Sequence, residues 1–163
     1  TYRTKNNSIV HYWKACDQFI KDMTNPETDY MYGPIRIMYQ RILLPNGMAL
    51  TYPHLHQEPT QNGFQWLYAS RNGWTSLYGG KLTENIIQAL ARIVICDHMT
   101  AADIQLPTCD VVLNVHDEII LVGPDENPKA IDTVLENIMS TPPSWLPNTP
   151  ITSEGGWDTC YSK

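Results

Sequence analysis

The sequence predicts an α+β fold in which helices pack on one face of an antiparallel sheet. Two patterns support this: long segments with apolar residues at helical spacing, and shorter apolar runs separated by the turn dipeptides Asn46-Gly47 and Asn72-Gly73. With 163 residues, of which 42% are hydrophobic, the chain is long enough for one core of ordinary size. We therefore expect one domain, or part of one.

Three amphipathic helices are expected, over residues 8–24, 79–100 and 128–140. Ser8 is a plausible N-cap for the first helix, and Asn25-Pro26 ends it. The second is the longest, with an apolar stripe of Leu82, Ile86, Ala89, Leu90, Ile93 and Val94. Asn127-Pro128 opens the third.

Strands are expected at 35–44, 48–52 and 64–70, before the second helix. Asn46-Gly47 predicts a two-residue hairpin turn between the first two strands, and Asn72-Gly73 predicts another turn after the third. Another hairpin is expected between the second and third helices. The predicted order is therefore helix, strands, helix, hairpin and helix, followed by a proline-rich tail.

The most informative segment is DVVLNVHDEIILV, from Asp110 to Val122. Its two apolar runs predict two buried strands joined by a tight turn that carries His116, Asp117 and Glu118. Placing two carboxylates at an apolar tip costs hydration free energy unless a positive group compensates for it. A divalent cation is the simplest such group. The alternative is a surface hairpin whose turn is merely polar.

With its flanking strands, the VHDE sequence resembles motif C of the family A DNA polymerases, the DNA polymerase I type. Three further segments are similar to phage members of that family and occur in the same order. They are LPNGMALTYP at 44–53, YGGKLTENIIQALAR at 78–92 and PITSEGGWDTCY at 150–161. The resemblance covers nearly the whole chain.

The resemblance implies that the chain is the C-terminal part of a larger DNA-directed DNA polymerase. Residues 1–34 would be a short fingers remnant that follows the nucleotide-gripping helix, and residues 35–163 the C-terminal part of the palm domain, containing motif C. The motif A aspartate and the nucleotide-gripping helix of the family are missing from this sequence. The chain by itself is therefore expected not to polymerise DNA.

The resemblance also implies the roles of the hairpin residues in DNA replication. Asp117 would hold two catalytic Mg²⁺ ions together with the missing motif A aspartate, and Glu118 would assist at the edge of this metal site. His116 would lie near the primer terminus and contact DNA. The alternatives are that Glu118 is a solvated residue at the start of a strand and that His116 is a simple turn residue.

The second helix carries the predicted DNA-binding residues Lys81, Asn85, Gln88 and Arg92. Their spacing of four, three and four residues places them on one helix face, expected to lie opposite the apolar stripe. The alternative is an ordinary solvated face. Gly79-Gly80 would allow backbone to approach a phosphate or a neighbouring helix, although a double glycine is also a common loop into a helix.

The net charge of −6 argues against a protein that coats nucleic acid, because such proteins carry an excess of Lys and Arg. No apolar run has the length of a membrane span, so we expect no membrane partner and a cytoplasmic location, in the host cell if the protein is viral. The expected partners are primer-template DNA, a deoxynucleoside triphosphate and an upstream polymerase segment. His54 and His56 are expected in a polar loop, and four aromatic residues are expected in a sheet core: Trp66, Tyr68, Trp74 and Tyr78.

One rival function is a non-catalytic DNA-binding or assembly module with a palm-like fold. The adjacent acids Asp117 and Glu118 argue against it, because such a module gains nothing obvious from two carboxylates in an apolar hairpin. A nuclease is a third possibility, but no second carboxylate cluster is visible in the sequence.

Overall fold

The computed structural model describes residues 2–61 and 63–161, with the backbone alone described at residues 2 and 3. The chain divides into two compact units, Thr1–Leu90 and Ala91–Lys163. Both contain helices and antiparallel strands, so the predicted α+β class is confirmed. The predicted assignment of 1–34 to fingers and of 35–163 to palm stays a prediction.

The first unit begins with two helices and continues with two small sheets. Helix α1 is Tyr2–Lys5 and helix α2 is Asn7–Asp22. The first sheet has the order β1-β2-β3-β4, and the second has the order β5-β6-β7. Their strands are β1 Asp29–Tyr32, β2 Ile35–Met38, β3 Arg41–Leu43, β4 Ala49–Thr51, β5 His56–Thr60, β6 Gly63–Ser70 and β7 Gly73–Leu77.

The core of the first unit combines residues of α2, the sheets and the start of the longest helix. This helix, α3, is Gly79–Gln105 and continues into the second unit. The side chains with almost no exposed surface include Cys16, Ile20, Met23, Ile35, Ile37, Ile42, Leu77, Leu82 and Ile86. Phe19 of α2 makes an edge-to-face contact with Tyr32 of β1, with ring centroids 4.8 Å apart.

The second unit contains the rest of α3, a two-stranded sheet and a final helix. The sheet pairs β8 Asp110–Val115 with β9 Glu118–Val122, and the helix α4 is Pro128–Met139. The Asn127 side chain caps α4 by accepting a hydrogen bond from the Ala130 amide. His98 of α3 is buried, and its Nε2 lies 2.9 Å from the carbonyl oxygen of Thr141 after α4.

The expectation of one antiparallel sheet is wrong, because the described strands form three separate sheets. The predicted strand 35–44 is also wrong. It is two strands, β2 and β3, with a turn between them in which Gln40 has a φ of 52°. Apolar residues are frequent on both sides of this turn, so hydrophobic content alone did not mark it.

Candidate functional site

The hairpin of β8 and β9 carries the residues that the sequence singled out. Val115 pairs with Glu118, so His116 and Asp117 are the two residues of the turn. His116 has a φ of 53°, a conformation that L-residues seldom adopt. A positive φ at the first turn position is typical of the tight turns that join antiparallel strands. The predicted hairpin and the position of the acids at its tip are therefore confirmed.

The two strands are less buried than predicted. Only Ile119 is classed as buried among their described side chains, while Val112 and Val122 are 54% and 58% exposed. Val111 pairs with Leu121 and Leu113 pairs with Ile120, so Val112 is an extra residue in a β-bulge. The bulge shifts the alternation of side chains, and a two-stranded sheet has few neighbours to cover both of its faces.

Asp117 and Glu118 have different surroundings. Asp117 is exposed, and within the described residues its carboxylate accepts no hydrogen bond. Glu118 is half-buried, and the Tyr161 hydroxyl donates a long hydrogen bond of 3.5 Å to its Oε2. The expectation that both acids lose their hydration at an apolar tip is wrong for Asp117, since its carboxylate faces solvent in this chain.

Asn114 of β8 is hydrogen-bonded to the backbone of the turn. Its side-chain amide donates hydrogen bonds to the carbonyl oxygens of Glu118, at 2.9 Å, and His116, at 3.4 Å. The guanidinium of Arg92 on α3 donates to its Oδ1. The residues on either side of Asp117 are thus attached to one side chain, which is in turn attached to the longest helix.

The chemistry of the acids suits a hard cation such as Mg²⁺, which prefers carboxylate oxygens. No group of three or more His, Cys, Asp or Glu side chains in the described part of the chain could hold a metal ion. If Asp117 and Glu118 bind such an ion, water, substrate or groups from another polymerase segment would have to provide its other ligands.

The predicted DNA-binding residues on α3 have partners within the chain. Lys81 forms an ion pair with Glu84 at 3.1 Å, and the Gln88 amide is 3.5 Å from the same carboxylate group. Asn85 is half-buried and donates a hydrogen bond to the hydroxyl of the buried Tyr52, at 3.1 Å. The face is thus beside the apolar stripe rather than opposite it, because Asn85 points toward the core.

Gly79, the first residue of α3, packs against α2 of the same unit. The Gly79 amide donates a 2.6 Å hydrogen bond to the Asp17 carboxylate, which therefore lies at the N-terminus of α3. An anion is favourable there, because the amides of the first turn carry partial positive charge. Of the possibilities given for Gly79, close approach to a neighbouring helix is the one observed.

Several residues lie elsewhere than predicted. His56 begins β5 instead of lying in a loop, while His54 lies in the turn before it with a φ of 57°. Trp74 and Tyr78 are each 60% exposed, so their prediction as sheet-core residues is wrong. Trp66 and Tyr68 are half-buried.

Sequence reasoning missed Asn114 and Asp17. Asparagine is disfavoured in strands, so an asparagine inside an apolar strand is a weak signal that its side chain has a specific role. Asp17 is on a helix 62 residues before Gly79, and nothing in the local pattern connects them. Both residues act through hydrogen bonds to backbone groups of other elements, which sequence periodicity does not report.

Comparison with known proteins adds to this geometry. Over 99% of its length the chain is 30% identical to the DNA polymerase of Bacillus phage SP02. The chain is related to a phage DNA polymerase. It spans about a quarter of that polymerase, 26% of its length. No family model matches the chain, and no solved structure matches it.

This similarity supports the predicted relationship to a DNA polymerase. The match extends over nearly the whole chain and so includes both units. None of the described helices is both long and apolar enough to cross a lipid bilayer.

Proposed function

We propose that this chain is the motif C part of a family A DNA polymerase and acts in templated nucleotidyl transfer during DNA replication. The proposal is supported chiefly by one observation: a two-residue turn presents the exposed Asp117 beside Glu118 in a chain related throughout to a phage DNA polymerase. Motif A and the nucleotide-gripping helix would belong to an upstream polymerase segment.

In this reaction the 3′ oxygen of the primer attacks the α-phosphorus of a deoxynucleoside triphosphate, and pyrophosphate leaves. When bound, two Mg²⁺ ions would stabilise the negative charge on the attacking and leaving oxygens. Asp117 would supply carboxylate oxygens to this site, and Glu118 would assist from its edge. The exposure of Asp117 fits this role, since its carboxylate is free to take a metal ligand position without breaking a bond.

DNA contacts are proposed for the residues around this site and along α3. His116 is exposed at the turn, where its ring would approach the primer terminus. Gln88 is exposed on α3, and Lys81 is half-buried beside Glu84. Contacts of Lys81 to phosphate require that DNA displace the ion pair with Glu84, which costs little because exposed pairs contribute only about 0 to 1 kcal/mol. Asn85 and Arg92 would contact DNA only if their hydrogen bonds to Tyr52 and Asn114 were replaced by hydrogen bonds to DNA.

The test is a chimeric polymerase in which this chain replaces the matching part of the phage SP02 enzyme. Mg²⁺-dependent primer extension is measured for the chimera, for this chain alone and for the chimera with Asp117→Ala. We expect extension by the unsubstituted chimera only, with a loss of at least about a thousandfold in Asp117→Ala, because a metal ligand stabilises charge in the transition state.

The matched control is Asp125→Ala, which removes an exposed carboxylate eight positions along the chain. It is expected to leave extension within about twofold, since exposed charges interact weakly through solvent. A folded chimera that binds primer-template but extends no primer would favour a non-catalytic DNA-binding or assembly module. Equal activity of the unsubstituted and Asp117→Ala chimeras would contradict the role of Asp117.

A further inference from the structure

Arg92 and Asn114 form a chain of hydrogen bonds that ends on the turn of the candidate site. Arg92 donates to Asn114 Oδ1, and the Asn114 amide donates to the carbonyl oxygens of His116 and Glu118. These two carbonyls belong to the residues on either side of Asp117. All four residues are within the second unit.

The chemistry of the partners determines the orientation of the Asn114 amide. A guanidinium can only donate hydrogen bonds, so the atom facing Arg92 must be the oxygen. Backbone carbonyls can only accept, so the atom facing His116 and Glu118 must be the nitrogen. The acceptor facing Arg92 and the donor facing the two carbonyls therefore require the same amide orientation. An amide is the one side-chain group of this size that has an acceptor and a donor at these two positions.

The turn needs such support because of its backbone. The left-handed conformation of His116 is unfavourable for a residue other than glycine. The two hydrogen bonds from Asn114 stabilise the carbonyl groups on either side of Asp117 in this conformation. These hydrogen bonds therefore offset the strain of the turn and fix the orientation of Asp117 at its tip.

We infer that Asn114 is a positioning residue for Asp117, held in its orientation by Arg92. This inference rests on the proposed function and deepens it. It changes the expected role of Arg92, whose guanidinium orients the turn from α3 instead of contacting DNA. Its effect on catalysis is through geometry: a displacement of about 1 Å in a reacting group can cost about a hundredfold in rate.

The first test uses this chain without metal or DNA. Hydrogen exchange of the segment 113–119 is followed by mass spectrometry for the unsubstituted chain and for Asn114→Asp. A carboxylate keeps the acceptor for Arg92 and replaces both amide donors with an oxygen that repels the carbonyls. We expect this segment to exchange about tenfold faster in Asn114→Asp while exchange in α4 is unchanged.

The matched control for the added charge is Asn137→Asp on α4. Asn137 is exposed, and its side chain makes no hydrogen bond within the described residues. This substitution should leave exchange of the segment 113–119 unchanged. Equal exchange of that segment in the unsubstituted chain and in Asn114→Asp would overturn the inference, whatever the activity of the polymerase.

The second test places Asn114→Asp and Arg92→Met in the chimeric polymerase. A positioning role predicts that kcat falls by about a hundredfold in Asn114→Asp and by a smaller factor in Arg92→Met, and that the Mg²⁺ concentration for half-maximal rate rises. The KM for primer-template and its salt dependence should stay unchanged. A raised KM with a shallower salt dependence in Arg92→Met would instead identify Arg92 as a DNA contact and overturn its positioning role.

The outcomes separate this inference from the proposed function. If Asp117→Ala abolishes extension and Asn114→Asp does not alter it, the function stands and the positioning role fails. If Asp117→Ala has no effect on an active chimera, the proposed function fails, and the hydrogen-exchange experiment still decides whether Asn114 holds the turn.

Discussion

Gly79 shows how a single residue sets the spacing of two helices. A methyl group there would overlap the Trp13 carbonyl oxygen and approach Asp17 Oδ1 to 2.6 Å. At Gly80, by contrast, the nearest atoms belong to the exposed ring of Tyr78, at 3.1 Å. The two neighbouring glycines therefore have different reasons for being present. Only Gly79 is required by the approach of α2 to the start of α3.

We predict that Gly79→Ala lowers the free energy of unfolding by about 1 to 3 kcal/mol, because the added methyl group forces α2 and α3 apart. Gly80→Ala is the control. Its methyl group can displace the Tyr78 ring, and alanine favours helix formation by up to about 1 kcal/mol relative to glycine. Urea unfolding followed by circular dichroism measures both. Equal stabilities of the two variants would contradict the close approach at Gly79.

The contact of Asn85 with Tyr52 connects α3 to the segment that follows β4. Tyr52 is buried, and its ring makes an edge-to-face contact with Tyr68 of β6 at a centroid distance of 5.1 Å. Burial raises the pKa of the Tyr52 phenol to about 12, while the hydrogen bond from Asn85 acts in the opposite direction. The phenol is therefore held neutral, and its oxygen accepts from the Asn85 amide.

We predict that Tyr52→Phe lowers the free energy of unfolding by about 1 to 2 kcal/mol, because the half-buried Asn85 amide loses its acceptor. Tyr68→Phe is the matched control, since the Tyr68 hydroxyl makes no hydrogen bond within the described residues. In the same urea experiment, Tyr68→Phe should lower the free energy of unfolding by less than half as much as Tyr52→Phe does. Similar losses in both variants would show that the hydroxyl of Tyr52 is not what connects these elements.

The raised pKa gives this pair a pH dependence. An unfolded tyrosine loses its proton near pH 10. The folded state therefore binds more protons than the unfolded state between about pH 10 and the Tyr52 pKa of about 12, and stability falls as the pH rises through this range. Tyr52→Phe should reduce the slope of stability against pH there. An unchanged slope would contradict the burial of the phenol.

The sequence predicted the helices and hairpin better than the small strands. Helices α2, α3 and α4 and the hairpin of β8 and β9 were found because each buries a regular stripe or is bounded by a clear turn or cap. Strands β1 and β5 were missed. All their residues are exposed, so no hydrophobic pattern marked them.

At Asn72-Gly73 the prediction is off by one residue, because Gly73 already pairs with Ser70 and the turn residues are Arg71 and Asn72. The turn at Asn46-Gly47 was located correctly, but its geometry was wrong in detail. Leu44 accepts from the Gly47 amide, so Pro45 and Asn46 are the central turn residues and Gly47 follows them with a φ of 82°. This is a longer hairpin loop with a left-handed glycine, and not a two-residue turn. Pro45, directly before Asn46-Gly47, indicates this longer loop, because proline fits the first central position of such a turn.

Charge is unevenly distributed along the whole chain. Residues 1–90 contain eight basic and six acidic side chains, whereas residues 91–163 contain three basic and eleven acidic ones. With His neutral, the first unit has a charge of +2 and the second of −8. Phosphate contacts are therefore favoured on the first unit. The second unit carries the carboxylates that a metal would neutralise.

This distribution predicts how the chain alone responds to Mg²⁺. Because the described residues contain no group of three or more metal ligands, Mg²⁺ should act by screening the repulsion among the acids and not by occupying a site. We predict that MgCl₂ raises the thermal unfolding temperature of the chain no more than NaCl of the same ionic strength does. Asp117→Asn should not change this response.

The same titration in the chimeric polymerase should behave differently, because the upstream segment would complete the metal site. There, Mg²⁺ should stabilise more than NaCl at equal ionic strength, and Asp117→Asn should remove the difference, since a ligand that binds only the folded state shifts unfolding by mass action. Calcium serves as the control for site occupancy without catalysis. A Mg²⁺-specific stabilisation of the chain alone that Asp117→Asn abolishes would mean that these residues already form a complete metal site, which would contradict the need for ligands from an upstream segment.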